Sequence, residues 1–392
     1  MTVHSPTTEA GVIAAVQAAR AAGQPLRIVG GGTRSAIGRP VPAAASLSLA
    51  GLAGITLYEP AEMVIGARAG TPLADVEVAL AAKGQMLPFE PMDHRPLLGS
   101  AGAPSIGAVA AMNISGPRRI AAGAARDSLI GVRFVNGLGE AIKSGGRVMK
   151  NVTGLDLVKL QSGACGTLGP LTEVIFKVLP RPETVRTLVL TGLADPEGVK
   201  ALSLGLGTPF EVSGAAHLPA QGGAKARTLL RLEGFAASLD YRAPALAAAL
   251  KGFGVASVLD EAESVALWRS VRDVTAAGFD GAAAVWRLSL KPSDAPGLVA
   301  AVGAAIGLSG HFFDWGGGLV WLAVPATGDA GAVVIRTAVA RVGGHATLIR
   351  APQAIRATVP SFQPEAAAIA ALSAGIRRSV DPDGLFNPGL MD

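Results

Sequence analysis

The sequence predicts an α+β protein, built as a glycine-loop domain followed by a second α+β unit around an antiparallel sheet. Three observations carry this. Two glycine-rich loops stand far apart in the first third of the chain, each after an apolar, strand-like run. One is Arg27-Ile28-Val29-Gly30-Gly31-Gly32-Thr33-Arg34-Ser35. The other runs through Gly99-Ser100-Ala101-Gly102-Ala103-Pro104-Ser105-Ile106-Gly107 to Ser115-Gly116-Pro117-Arg118-Arg119. The proline-rich break Pro180-Arg181-Pro182 then separates two regions. Beyond it, strand candidates at 187–191, 228–233, 285–290, 319–324 and 346–350 alternate with alanine-rich helices at 243–250 and 296–306. Such alternation fits an antiparallel sheet covered by helices.

In order along the chain, Thr7 or Thr8 can cap a helix with Glu9 in its first turn and Val12, Ile13 and Val16 on one face, ended by Gly23. Residues 26–29 form a strand entering the first loop. Residues 57–69 read as strand broken at Pro60. Thr71 and Pro72 follow as N-cap and first residue of a helix to Lys83, stopped by Gly84. Residues 129–135 and 140–143, joined at Asn136-Gly137, read as a β-hairpin. A further strand spans 171–179, and a helix at 364–380 leads into Asp381-Pro382-Asp383-Gly384-Leu385-Phe386-Asn387-Pro388-Gly389.

Composition narrows the function classes. Of 392 residues half are hydrophobic, and the net charge of +5 is small for the length. The single cysteine, Cys165, permits no internal disulfide and fits a reducing, cytoplasmic setting. An iron–sulfur cluster needs about four thiolates, so this chain alone cannot carry one. The five histidines lack metal-ligand spacing, and no metal site is expected. No secretory signal is evident, and no stretch approaches the ~20 apolar residues of a membrane span. A basic stretch (Arg118, Arg119, Arg126, Arg133, Lys143, Arg147, Lys150) is interleaved with one aromatic residue, Phe134. Nucleic-acid binding is therefore disfavoured, and a solvated or subunit-docking face is expected.

Glycines let backbone N–H groups close around a phosphate, and two such loops suggest a diphosphate gripped from both sides. The first loop lacks the lysine of a nucleoside-triphosphate P-loop. It also runs into Gly38-Arg39-Pro40, a poor start for the helix that a dinucleotide-binding βαβ unit needs. A third cluster, Gly163-Ala164-Cys165-Gly166-Thr167-Leu168-Gly169, precedes a strand.

These loops resemble the FAD-binding domain of the p-cresol methylhydroxylase/vanillyl-alcohol oxidase family, and within it the FAD-binding subunits of bacterial glycolate oxidase (glycolate dehydrogenase). The likeness also rests on Tyr58-Glu59-Pro60-Ala61-Glu62-Met63, Ala69-Gly70-Thr71-Pro72-Leu73, Gly84-Gln85-Met86-Leu87-Pro88-Phe89-Glu90-Pro91 and Arg126-Asp127. It continues through Val148-Met149-Lys150-Asn151-Val152-Thr153-Gly154-Leu155-Asp156 and Lys177-Val178-Leu179-Pro180-Arg181-Pro182. In the second half it takes in Leu267-Trp268-Arg269, Asp314-Trp315-Gly316-Gly317, Gly343-Gly344-His345-Ala346-Thr347 and Phe386-Asn387-Pro388-Gly389.

The resemblance implies a two-subdomain FAD-binding domain at 1–184, an α+β cap or substrate domain at 185–375, and a C-terminal segment, 376–392, that returns to the FAD domain. Val29, Gly30, Gly31, Gly32, Thr33, Arg34 and Ser35 would wrap the FAD diphosphate, faced by Ser105, Ile106 and Gly107. Ser115, Gly116 and Gly123 would line the isoalloxazine side, and Gly166 and Leu171 would lie nearer the adenine and ribose. Some relatives attach flavin through a histidine directly after the loop glycines. Thr33 stands there, so FAD is expected to bind non-covalently.

The implied reaction is oxidation of glycolate to glyoxylate, with electrons passing to a partner subunit or acceptor. A second FAD subunit and an iron–sulfur subunit would share the complex and could bring it to a membrane surface. Such oxidation needs a cation for the carboxylate and a base for the hydroxyl proton. Alternation along Trp286-Arg287-Leu288-Ser289 puts Arg287 and Ser289 on one strand face. Arg287 is the candidate for the carboxylate and His345 for the base, with His311 and Asp314 as further candidates. The alternative is a mainly structural FAD-binding subunit that assembles a complex whose chemistry is done by a partner.

Overall fold

The computed structural model describes residues 2–147 and 154–391. The motif part Val148-Met149-Lys150-Asn151-Val152-Thr153 lies outside them. Three main sheets organise the chain. In the first, Thr2–His4 and Leu26–Val29 flank Ala45–Ser48, all parallel. Parallel neighbours need a crossover, and helix Glu9–Ala21 supplies one. Its Val12, Val16 and Ala19 pack with Leu26 and Leu47. Thr8 is the N-cap, its hydroxyl accepting from the Gly11 N–H at 3.1 Å.

The second sheet is antiparallel, in the order Ile55–Glu59, Val64–Arg68, Leu171–Lys177, Leu129–Val135, Ala141–Gly145. Helices Leu73–Ala81 and Ile106–Ala111 contribute Val76, Leu80 and Val109 to the core it shares with Ile65, Val132, Phe134 and Phe176. The helix starts later than the Thr71-Pro72 pair predicts, with Pro72 at the N-cap position. Thr71 makes no cap bond: its hydroxyl donates to the Arg68 carbonyl at 2.7 Å and accepts from the Gly54 N–H at 2.9 Å, tying two turns together. The hairpin is present with a longer loop than the Asn-Gly signal implies. Asn136 accepts from the N–H groups of Leu138 and Glu140, which widens the turn.

The third sheet is antiparallel and eight-stranded. Its order is Ser257–Leu259, Thr184–Thr191, Arg227–Gly234, Gly214–Leu218, Gly310–Asp314, Leu319–Val324, Ala284–Ser289, His345–Arg350. On one face Trp286, Leu288, Phe313, Val320 and Leu322 pack with helices Ala295–Ile306 and Ala332–Arg341. The buried Trp286 indole N–H donates to the Ala330 carbonyl at 2.9 Å, so its polar end is satisfied. Toward the Thr184–Thr191 end, Leu230 and Leu232 pack with helices Asp195–Leu206 and Ala236–Ala249. The latter begins well before the predicted 243–250 and runs through Pro244.

The opposite face meets the first half of the chain. There Val285, Phe312, Trp321 and Ile349 join one core with Phe89, Met92 and Leu97. An ionic clamp crosses the same junction. Arg231 donates to both Glu90 carboxylate oxygens (2.9 and 2.8 Å), and Arg118 donates to both of Glu233 (2.6 Å each). Burial opposes ionisation of Glu90, but Arg231 and Arg118 hold its carboxyl down at about 2. Arg133 likewise pairs with Glu9 at 2.5 Å. Of the predicted basic face, only Arg126, Lys143 and Arg147 are exposed, and Lys150 lies outside the described residues.

The segment after helix Ala367–Val380 returns to the first sheet. The Leu26 N–H donates to the Leu385 carbonyl, and the Asn387 N–H donates to that of Leu26.

Candidate functional site

Strand Leu26–Val29 delivers the first glycine loop into a cleft of about 370 Å³. The two predicted loops meet in its wall. A Cβ on Gly31 would lie 1.6 Å from the Ala103 carbonyl oxygen, and one on Gly30 would lie 2.4 Å from Ser105 Oγ. Only glycine permits this approach. Ser100 adds a bridge, its hydroxyl donating to the Thr33 carbonyl at 2.8 Å. The third cluster joins through Gly166, whose φ of +74° sets it against Asn387 and Ile28.

Val29, Gly30, Gly31, Gly32, Thr33, Arg34 and Ser35 all line the cleft, as do Ser105, Gly107, Gly166 and Leu171. Ile106 instead points into the core and is buried. Ser115, Gly116 and Gly123 are not part of this wall. Gly116 lies under Trp315, whose indole N–H donates to its carbonyl at 3.0 Å, and Gly123 packs on Asp127. Sequence reasoning missed Gln353, Arg356, Asn387 and Leu390, which close the cleft from the far end of the chain. Asn387 accepts from the Ile28 N–H and donates to the Cys165 carbonyl, both at 2.8 Å. The Phe386-Asn387-Pro388-Gly389 motif was the available signal.

Two polar atoms of this wall are buried without a hydrogen-bond partner: Ser105 Oγ and Arg34 Nη1. Buried donors left unpaired at the wall of a cleft are free to meet a ligand acceptor there. Arg34 is fixed by its other nitrogens. Nε donates to His94 Nδ1 and Nη2 to the Met92 carbonyl, both at 3.2 Å. Burial lowers Arg34 to about 10, so it stays charged at neutral pH. Burial and Arg34 together push His94 well below its ordinary value. A guanidinium can only donate, so His94 Nδ1 accepts and its proton sits on Nε2.

Arg287 and His345 fall on one face of adjacent strands, where Arg287 pairs with Thr347 and Ser289 with His345. That face is the one turned to the first half of the chain. Burial, then Arg119, lowers Arg287 to about 10. His345 is exposed at the rim. Partial desolvation, then Arg287 and Arg119, lower its pKa. Arg287 also lowers His94, the residue that accepts from Arg34 Nε.

Trp315 organises the cluster. The guanidinium carbons of Arg119 and Arg287 lie 4.4 and 5.1 Å from its ring centroid. Its backbone is left-handed (φ +51°), held by the Trp315 N–H donating to Asp314 Oδ1 at 2.7 Å. Such a conformation persists only where its surroundings fix it. Asp314 is buried on the same face, and burial raises its carboxyl to about 7. His311 does not join them. It pairs with Asp195 at 2.6 Å, on the sheet face covered by helices.

Comparisons with known proteins show the family of the chain. Residues 2–145 match the FAD binding domain model. The chain is 34% identical to the glycolate oxidase subunit GlcE of Escherichia coli K12, over 94% of this chain and 92% of that one. It is 36% identical to the glycolate oxidase subunit GlcD of Bacillus subtilis over 31% of this chain and 24% of the relative. In fold it is similar to alkyldihydroxyacetonephosphate synthase, with a TM-score of 0.70 and 14% identity over 98% of this chain and 76% of that one. The chain belongs to the FAD-binding flavoprotein oxidoreductases, in the family that includes the glycolate oxidase subunit GlcE.

Proposed function

We propose that this chain is an FAD-binding subunit of a glycolate dehydrogenase (glycolate oxidase) complex, oxidising glycolate to glyoxylate and passing electrons to a partner subunit. Residues 1–184 would form the FAD-binding domain, 185–375 the cap, and 376–392 the returning segment. The backbone of Gly30, Gly31 and Gly32, with Ser105 Oγ and Arg34 Nη1, would hold the diphosphate. Gly166, Leu171 and Asn387 would flank the adenosine, and Ser115 and Gly116 would lie toward the ring system below Trp315. Thr33 stands where a linking histidine would follow the loop glycines, which supports non-covalent binding.

The observation that carries the reading is the placement of Arg287 and His345 on one sheet face turned toward the cofactor half. Arg287 would bind the substrate carboxylate through paired N–H groups. His345, its pKa lowered, is neutral at pH 7 and would take the hydroxyl proton on a ring nitrogen. The buried Trp321 and Phe312 on that face exclude water. Bound FAD would supply the two-electron acceptor.

The purified chain, alone and with its partner subunits, tests this. It should be yellow, release its flavin on denaturation, and bleach with glycolate. A yellow chain inert to glycolate, yet required when partners are added, would replace the catalytic role with an assembly role. A chain that takes up no FAD would sink both. No helix among the described residues is long and apolar enough to cross a membrane.

A further inference from the structure

The wall of the cleft holds four guanidiniums, Arg27, Arg34, Arg39 and Arg356, and no aspartate or glutamate. Arg34 has Nε and Nη2 held by His94 and Met92, and only Nη1 is left without a partner. The other three come from three places: the strand before the first glycine loop, the turn after it, and helix Gln353–Thr358 beyond the large sheet. Each is aimed by a backbone carbonyl. Arg27 donates to Ser35 (3.3 Å), Arg39 to Ala357 (3.3 Å), and Arg356 to both Gly38 (3.0 Å) and Ala351 (3.2 Å).

Arg39 and Arg356 thus make a crossed pair, each donating to a backbone carbonyl beside the other. Gly38, at φ +87° against Leu390, turns the chain to allow it. Carbonyl acceptors orient guanidiniums but do not neutralise them. Among the described residues no carboxylate pairs with these three, and the charge of Arg27 bears on Arg356. Like charges gathered and oriented without a counter-charge constitute a site for a multiply charged anion.

We propose that Arg27, Arg39 and Arg356 form a collar that binds the diphosphate of FAD, making Arg356 a cofactor-binding residue contributed from beyond the large sheet. This rests on the assignment of the cleft to FAD. The collar complements the glycine loops: their backbone N–H groups hold one side of the diphosphate and the guanidiniums the other. Cofactor binding therefore also ties helix Gln353–Thr358 to the first loop.

The test is FAD affinity of the full chain, measured by flavin fluorescence over a range of KCl concentrations, for wild type, Arg356→Gln and Arg356→Lys. Arg356→Gln should weaken FAD by about 10-fold or more, the scale of a lost hydrogen bond to a charged group. It should also flatten the salt dependence, because one screened contact is gone. Arg356→Lys should restore most of both. Inorganic pyrophosphate should displace FAD from wild type and do so less well from Arg356→Gln. The proposal is overturned by unchanged FAD affinity in Arg356→Gln. It is equally overturned if affinity falls with the salt slope intact and no rescue by lysine, which is a packing effect. Pyrophosphate that binds alongside FAD without displacing it would assign the collar to a separate anion. A wild-type chain that binds no FAD would instead remove the assignment on which the collar rests.

Discussion

Arg119 and Arg287, one from each half of the chain, both rest on the ring of Trp315. Among the described residues neither is hydrogen-bonded to a carboxylate. Two like charges held against one indole raise the local potential, and each lowers the proton affinity of its neighbours: Arg119 acts on Arg287, and both act on His345. A bound carboxylate would relieve that repulsion.

Replacement of Arg287 by alanine is therefore expected to lower kcat/KM for glycolate by about 10–100-fold, matching the ~1.5–3 kcal/mol of a hydrogen bond to a charged group. Lysine should recover part of it. Flavin content should not change, because Arg287 is no part of the cleft wall. Anaerobic bleaching by glycolate alongside the flavin spectrum checks both statements, and an Arg287→Ala chain that bleaches like wild type rules the role out.

Gly31→Ala should destroy the contact between the two glycine loops. Its Cβ would meet the Ala103 carbonyl oxygen at 1.6 Å, and the nearest atoms around it are all Ala103 backbone. Relief requires the loops to part, at about 1–3 kcal/mol by analogy with overpacked interiors. The variant should be isolated with little flavin and a lower Tm, whereas Gly32→Ala, whose Cβ would meet open space, should suffer only from its φ of +77°.

Asn387→Ala removes the partners of the Ile28 N–H and the Cys165 carbonyl. Each group left unsatisfied costs about 1–3 kcal/mol. The left-handed backbone at Asn387 (φ +45°) tolerates alanine less well than asparagine. Thermal denaturation should show a loss larger than that of an exposed control such as Ser379→Ala, and faster proteolysis of the C-terminal segment.

Glu90→Gln tests the clamp between the halves. Its folded-state pKa, about 2, lies below the ordinary 4.5, so its contribution is present above pH 4.5 and is lost as pH falls toward 2. At pH 7 the loss should be about 3 kcal/mol, the lower end for breaking a buried pair, since Glu90 keeps some exposure. Denaturant titrations should show the gap between variant and wild type closing from pH 4.5 downward. A gap of constant size would assign the effect to packing.

Asp314 has the opposite sign. Burial raises its carboxyl from 3.8 to about 7, so the fold favours the neutral acid. That contribution is complete below about pH 4 and is lost as pH rises through 7. Wild type should therefore lose Tm relative to Asp314→Asn between pH 5 and 8. A Tm difference flat across that range would show that Asp314 is ionised throughout.

The parts of this fold most legible in the sequence are those where one residue type is physically forced. Gly30 and Gly31 must be glycine for the loops to touch, and alternation alone puts Arg287 and Ser289 on one face of their strand, opposite Trp286 and Leu288. Leu319–Val324, a continuous apolar run, was read to the residue. Gly214–Leu218 and Gly310–Asp314 were missed because small residues and the histidines His217 and His311 interrupt any period-two pattern. Both histidines are explained by Asp195, a partner distant in sequence. Thr71 looked like a helix cap because cap residues and turn-bridging residues share the same short hydroxyl chemistry. Arg356 carries no local mark of the cleft, since its relevance comes only from where the chain beyond the large sheet brings it. Asn387 is marked by its Phe386-Asn387-Pro388-Gly389 motif, but not by any sign of its partners Ile28 and Cys165.

The bond from Ile28 to Asn387 spans 359 positions of sequence. The strand and loop that begin the cleft are therefore synthesised long before the residues that complete it. While the chain is being made, strand Leu26–Val29 presents an unpaired edge where Phe386 will later bridge to Leu26. On the proposed assignment of the cleft to FAD, cofactor loading would then come late, after nearly all of the chain has left the ribosome. Cellular flavin supply should accordingly govern how many finished chains mature, and not how quickly the nascent first half folds.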